Sequence, residues 1–144
     1  MSLPHNTHLA LRPEWSGRPY DISVGGAEVL LETGPTLTAD VEGLVHGGFV
    51  FSAADHAAML AINEPFVVLG SAESRFLAPV RAGERVLLRA TVTENKGKKS
   101  LVRVDGWVLP EGSLPPVGSP DPGRKVFEGV FTTFLLPAHV LSAR

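Results

Sequence analysis

Hydrophobic and polar residues alternate over long stretches of this chain. Val86, Leu88, Ala90 and Val92 form one face against Arg85, Leu87, Arg89 and Thr91, which predicts a strand over residues 84–95. The turn Asn95-Lys96-Gly97-Lys98 joins it to a second alternating run over 100–109, so the two read as a hairpin. Residues 66–77 and 125–136 give two further strands, each closed near a proline. Residues 27–40 are β-rich, and Gly34-Pro35 suggests a bend or hairpin there. Residues 41–45 read as a loop. Residues 1–26, rich in proline, glycine and polar groups, read as an irregular arm anchored by Trp15 and Tyr20. Residues 110–123, proline- and glycine-rich, form a surface loop longer than usual hairpin connections, and 138–144 read as a short tail. One folded domain over 27–137 remains.

One interval breaks the alternation. From Gly47 to Ile62 the residues are apolar or small on every side, and Asn63-Glu64-Pro65 ends the run. A helix apolar all round is buried all round. The expected order is therefore β–α–β–β–β–β, an α+β fold with a curved antiparallel sheet wrapped around one long central helix. Asp55 stands in the middle of that helix. A carboxylate is almost never fully buried unless something pairs with it or uses it. His46-Gly47-Gly48 precede the helix, where unpartnered amides and the helix dipole favour negative charge. Glycine there can be a packing device at a tight turn, and Asp55 alone can be a structural hydrogen-bonder. The two together define a candidate site.

Composition narrows the function classes. The 144 residues are 44% hydrophobic and 19% charged, ordinary for a globular domain with a real core. A formal net charge of −2 gives no electrostatic case for nucleic acid. The chain has no cysteine, which removes disulfides, thiol nucleophiles and thiolate metal sites and fits a reducing cytoplasm. No signal-peptide pattern opens it, and the apolar helix is shorter than the ~20 residues that cross a bilayer, so no membrane role is expected. His5, His8 and His139 are scattered near the ends, and no metal site is expected. His56, about 100° around the helix from Asp55, reads as packed or exposed. Glu73 and Arg75 share a strand face and read as an ion pair. Lys96, Lys98 and Lys99 read as a solvated turn. Trp107 reads as core or interface.

Three segments carry a family resemblance. They are His46-Gly47-Gly48 with Asp55 nine residues after the histidine and Asn63 at the helix end; Arg75-Phe76-Leu77-Ala78-Pro79-Val80-Arg81-Ala82-Gly83-Glu84; and Val126-Phe127-Glu128-Gly129-Val130-Phe131. Together they resemble the hotdog-fold thioesterases, in particular the phenylacetate-pathway branch. The resemblance implies an acyl-CoA thioesterase with no cofactor. It implies that the amides of Gly47 and Gly48 hold the thioester oxyanion, that His46 orients the thioester or its loop, and that Asp55 is general base or nucleophile. Asp40, Phe49, Met59 and Asn63 would border the substrate. It also implies a homodimer with the pocket at the subunit interface, the amides and the acid coming from opposite subunits. A tetramer is possible through an exposed sheet face bearing Trp107 or Val104.

Two departures stand out. Many relatives carry Asn or Gln six residues before the histidine, where this chain has Asp40. Others carry Ser or Thr one turn after the acid, where it has Met59. They keep a second class in play, a non-catalytic acyl-CoA-binding hotdog module, although retention of Asp55 and the lack of a helix-turn-helix segment weigh against it. A hotdog hydratase or dehydratase ranks third, because Asp40 precedes His46 without the expected Asn-Pro.

Overall fold

The computed structural model describes residues 2–142. Its elements are α1 (Pro13–Ser16), β1 (Arg18–Ser23), β2 (Gly26–Glu32), a 3₁₀ turn (Pro35–Leu37), α2 (Gly47–Ile62), β3 (Val67–Phe76), β4 (Arg85–Lys96), β5 (Lys99–Val108) and β6 (Arg124–Leu135). The six strands form one sheet, ordered β1-β2-β4-β5-β6-β3, with every pairing antiparallel. The sheet curves around α2, which is the hotdog architecture. Register shifts in β1, β3, β4 and at the β5–β6 pairing mark bulges, which tighten curvature locally.

The helix bounds and the four strands after it follow the alternation to within a residue or two. One expectation fails, and of the bend and the hairpin expected at Gly34-Pro35 the chain takes the bend. The supposed arm over 1–26 contains α1 and a full strand, β1, so the sheet gains a sixth strand. Pro19 and a bulge between Pro19 and Asp21 break the period of two that would have announced it. Gly34-Pro35 makes no hairpin. Proline's fixed φ starts a 3₁₀ turn instead, and the chain leaves the sheet toward α2.

Ala53, Ala54, Ala57 and Ala58 are all fully buried. Small side chains there let the sheet approach the helix closely and contact it along its length. Phe127, Phe131, Leu88, Val102 and Met59 complete the inner core. The outer sheet face has its own small cluster, Leu30, Leu87 and Leu109, with Tyr20 and Leu114 beside it. The 110–123 segment straps it down. Gly118 N–H donates to Glu28 Oε2 at 3.3 Å, Arg89 Nη2 donates to Ser119 O at 2.7 Å, and the Tyr20 hydroxyl donates to Pro115 O. Arg89 also pairs with the buried Glu28 at 2.6 Å and lies 4.8 Å above the Trp107 ring, with Lys125 at 5.3 Å from it. Trp107 is thus 6% exposed and Val104 fully buried, so neither offers the exposed tetramer face expected from the sequence. Glu73 and Arg75 are both exposed and form no ion pair among the described residues; Arg103 and Lys125 instead pair with Asp105 and Glu128.

The two sheet edges differ. The N-terminal arm covers β1: Leu3 N–H donates to Ile22 O at 2.7 Å and Ile22 N–H to Ser2 Oγ at 3.0 Å. β3, ten residues long, carries no such cover on its outer edge among the described residues. An uncovered edge strand presents a row of unpaired backbone groups and invites another strand.

Candidate active site

The start of α2 is clamped from both sides. Val45 N–H donates to Val80 O and His46 N–H to Leu37 O, each at 2.8 Å. Leu44 bridges Arg81 and Thr38 bridges Val45. His46 is the N-cap residue but its side chain makes no capping bond. The first amides of a helix have no intrahelical partner, so Gly47 and Gly48 keep donors available for a ligand. Gly47 opens into a cavity of about 360 Å³ whose walls include Val50, Phe76, Pro79, Val80 and Val126. A Cβ on Gly47 would stand 3.3 Å from the Phe76 ring, and one on Gly48 would stand 2.9 Å from His46 Nε2. Both glycines therefore keep the helix end bare, with the exposed His46 ring folded beside Gly48.

Asp55 lies two turns into α2. Its Oδ1 is buried and has no hydrogen-bond partner among the described residues. Burial pushes the carboxyl up to about 6 from an ordinary 3.8, with no charged neighbour contributing. A pKa near neutrality on an unpartnered carboxylate suits a proton acceptor. Asp55 is eight residues past Gly47, which is about 12 Å along a helix axis. That is too far for one carbonyl to touch both the Gly47 amide and the same subunit's carboxylate.

The remaining sequence candidates divide. Phe49 is partly buried on the core and its ring meets His46 edge-on at 5.9 Å. Met59 is fully buried in the core. Asp40 is exposed, and its Oδ1 accepts the Glu42 and Leu44 amides at 3.0 and 3.2 Å, shaping the turn that leads to the helix. Asn63 closes α2 in the left-handed conformation, φ 57°. Its Nδ2 donates to Pro4 O at 2.8 Å and its Oδ1 accepts the Asn6 amide at 3.0 Å, so it holds the N-terminal arm against the helix end.

That arm brings in residues that the sequence left scattered. His56 is buried, its Nδ1 bonded to Ser16 O at 2.9 Å and its Nε2 unpartnered. The His5 ring lies 5.9 Å from it, and His5 Nε2 is also buried without a partner. Burial, opposed by the Ser16 carbonyl and aided by His5 and His8, holds His56 below the ordinary imidazole range. Spacing of 48 residues between His8 and His56 gave no signal of this. The cavity walls Phe76, Pro79 and Val80 fall in one of the three resemblance segments, but alternation alone marks them only as a strand end.

A six-stranded antiparallel sheet curved around one long central helix defines a hotdog fold. The chain belongs to the thioesterase superfamily, whose pattern matches residues 42–114. It is 46% identical over 130 residues to methylthioribose-1-phosphate isomerase of Aquifex aeolicus, covering 90% of this chain but 26% of that one, so it spans about a quarter of that curated relative. Among solved structures, the uncharacterized protein PH1136 of Pyrococcus horikoshii is 41% identical and covers 99% of both chains, with a TM-score of 0.86. A mutant of the phenylacetic acid degradation protein PaaI from Thermus thermophilus is 28% identical, covers 85% of this chain and 95% of its own, and has a TM-score of 0.68. The family is thus the thioesterase superfamily, with a phenylacetic acid degradation protein among the structures that share its fold.

Proposed function

We propose that this protein is an acyl-CoA thioesterase that works as a homodimer in the cytoplasm, using water, Asp55 and helix-end amides and no cofactor. The observation that carries this reading is the unpartnered Asp55 carboxylate on the same helix as a bare Gly47-Gly48 terminus that opens into a cavity. The thioester oxygen accepts from the Gly47 and Gly48 amides, with His46 beside them. Asp55 takes a proton from water as the water oxygen bonds to the carbonyl carbon. The tetrahedral oxyanion then collapses, the C–S bond breaks, and the thiolate takes the proton from Asp55. Direct attack by Asp55 to give an anhydride, followed by hydrolysis, uses the same groups. Phe49, packed edge-on against His46, would border the substrate beside that histidine, while Asp40 and Asn63 act through the loop and arm they hold.

The distance along α2 between the amides and the acid argues for two subunits at each site. α2 runs into β3, and β3 runs back beside it, so Phe76 stands at Gly47. Antiparallel pairing of two open β3 edges sets the Phe76 end of one copy against the Val67 end of the other. The partner's helix then runs opposite, which carries its acid toward this subunit's amides.

The test is hydrolysis of short, aromatic, medium and long acyl-CoAs by the wild type and Asp55→Asn in parallel. Turnover of one acyl class that falls at least about a hundredfold in folded Asp55→Asn is the expected result. Unchanged turnover would remove Asp55 from the mechanism. Acyl-CoA that raises the melting temperature without turnover would make this a binding module.

A further inference from the structure

Beside the Gly47 cavity lies a second, larger concavity of about 620 Å³. Arg81, Arg85 and Arg124 line it, with Val108, Leu109 and Pro110 as an apolar floor. The walls of the two are joined at two points. Leu44, which lines the first cavity, is bridged to Arg81 of the second. Arg124 Nη1 donates to the carbonyl of Pro79, again a wall of the first, at 2.9 Å. The charges in the second cleft are unbalanced. Of its two carboxylates, Glu84 is committed: Oε2 pairs with Arg124 at 3.1 Å and Oε1 accepts the Arg81 amide at 2.7 Å. Glu111 is exposed and forms no ion pair among the described residues. Arg85 donates only to the Pro110 carbonyl, at 2.8 Å, and the Arg81 guanidinium has no carboxylate within reach among the described residues.

We propose that this cleft holds the phosphate groups at the nucleotide end of the thioester substrate, with Arg81 and Arg85 as the principal donors and the Val108–Pro110 floor under the base. The proposal rests on the thioesterase reading and deepens it. A guanidinium suits phosphate through its planar fork of donors. A coenzyme A thioester carries its phosphates at the far end of a long flexible arm from the carbonyl, and the cleft adjoins the Gly47 cavity along the Leu44–Arg81 and Pro79–Arg124 seams. The concavity and apolar floor favour a nucleotide over the surface of an acidic protein, which needs no pocket. Gly123 reinforces that floor, because its backbone passes so close to the Val108 carbonyl that no side chain fits between them.

The test uses adenosine 3′,5′-bisphosphate as probe, titrated calorimetrically into the full chain. Arg81→Gln/Arg85→Gln is compared with the wild type, and both side chains are accessible enough for the fold to survive. Binding to the wild type that weakens at least about tenfold in the double variant is expected. In kinetics, KM for an acyl-CoA should then rise about tenfold more than KM for the same acyl group on N-acetylcysteamine, which carries no phosphate. Absence of bisphosphate binding to the wild type, or equal binding to the double variant, overturns the proposal. So does a loss seen only with a carrier-protein thioester, which would assign the arginines to an acidic protein. Failure of both thioesters to react would sink the thioesterase reading, while the calorimetry still decides the cleft.

Discussion

Asp55 concentrates the tension between stability and chemistry. Its folded pKa of about 6 lies above the ordinary 3.8, so its contribution to stability is fully present below pH 3.8 and is lost as pH rises through 6. At pH 8 the folded state therefore carries a charge that its surroundings disfavour. Asp55→Asn should stabilise the protein by roughly 1–2 kcal/mol at pH 8, with solvent screening of the partly buried side chain allowed for, and by almost nothing at pH 4. Melting curves at the two pH values check this. The same ionisation predicts that kcat/KM of the wild type climbs with pH and levels off above a midpoint near 6. A carboxylate on an apolar helix is visible in sequence. Its missing partner is not, because hydrogen bonding depends on which neighbours the fold supplies.

At the scale of elements, the N-terminal arm, α1 and α2 form one unit around His56. Ser16 holds its Nδ1, and His5 and His8 face it from the arm. Its folded pKa lies below the ordinary 6.5, so the unfolded chain binds more protons and stability falls as pH drops below 6.5. His8 adds the same slope, and Asp55 opposes it in the same window. His56→Asn should therefore flatten the loss of stability between pH 7 and pH 5 relative to the wild type, measured by chemical unfolding at each pH. If the two slopes match, the arm's histidines do not sense pH through His56. This unit was the least legible part of the chain. Proline and a bulge hid β1, and the arm's contacts with α2 join residues distant in sequence, such as Asn6 and Asn63, 57 positions apart.

For the whole molecule, the N-terminal arm covers the β1 edge while β3 leaves its edge open among the described residues, and the proposed homodimer would pair through that open edge. An interface active site makes a sharp prediction. Gly47→Val fills the approach to the amides next to Phe76, and Asp55→Asn removes the acid. Each variant alone should be inactive. Mixed after dissociation, half the dimers are heterodimers with one intact site of two, so activity should return to about a quarter of wild type. Mixtures that remain dead would place both groups of a site in one chain. Sedimentation of the mixture verifies that dimers form.

Local patterning settled the central helix and the four strands after it, because burial on one face or on all faces imposes a period that any reader of the chain can count. It also exposed the pairing of a glycine helix start with a mid-helix acid, since both lie on one continuous element. Tertiary structure decided what lay far apart in sequence. It covered Trp107 with Arg89 and the 110–123 strap, set Asp40 and Asn63 to shaping a turn and holding the arm, and gathered Arg81, Arg85 and Arg124 around one cleft. Those outcomes depend on which strands pair and where loops cross, and no periodicity within a single segment encodes them.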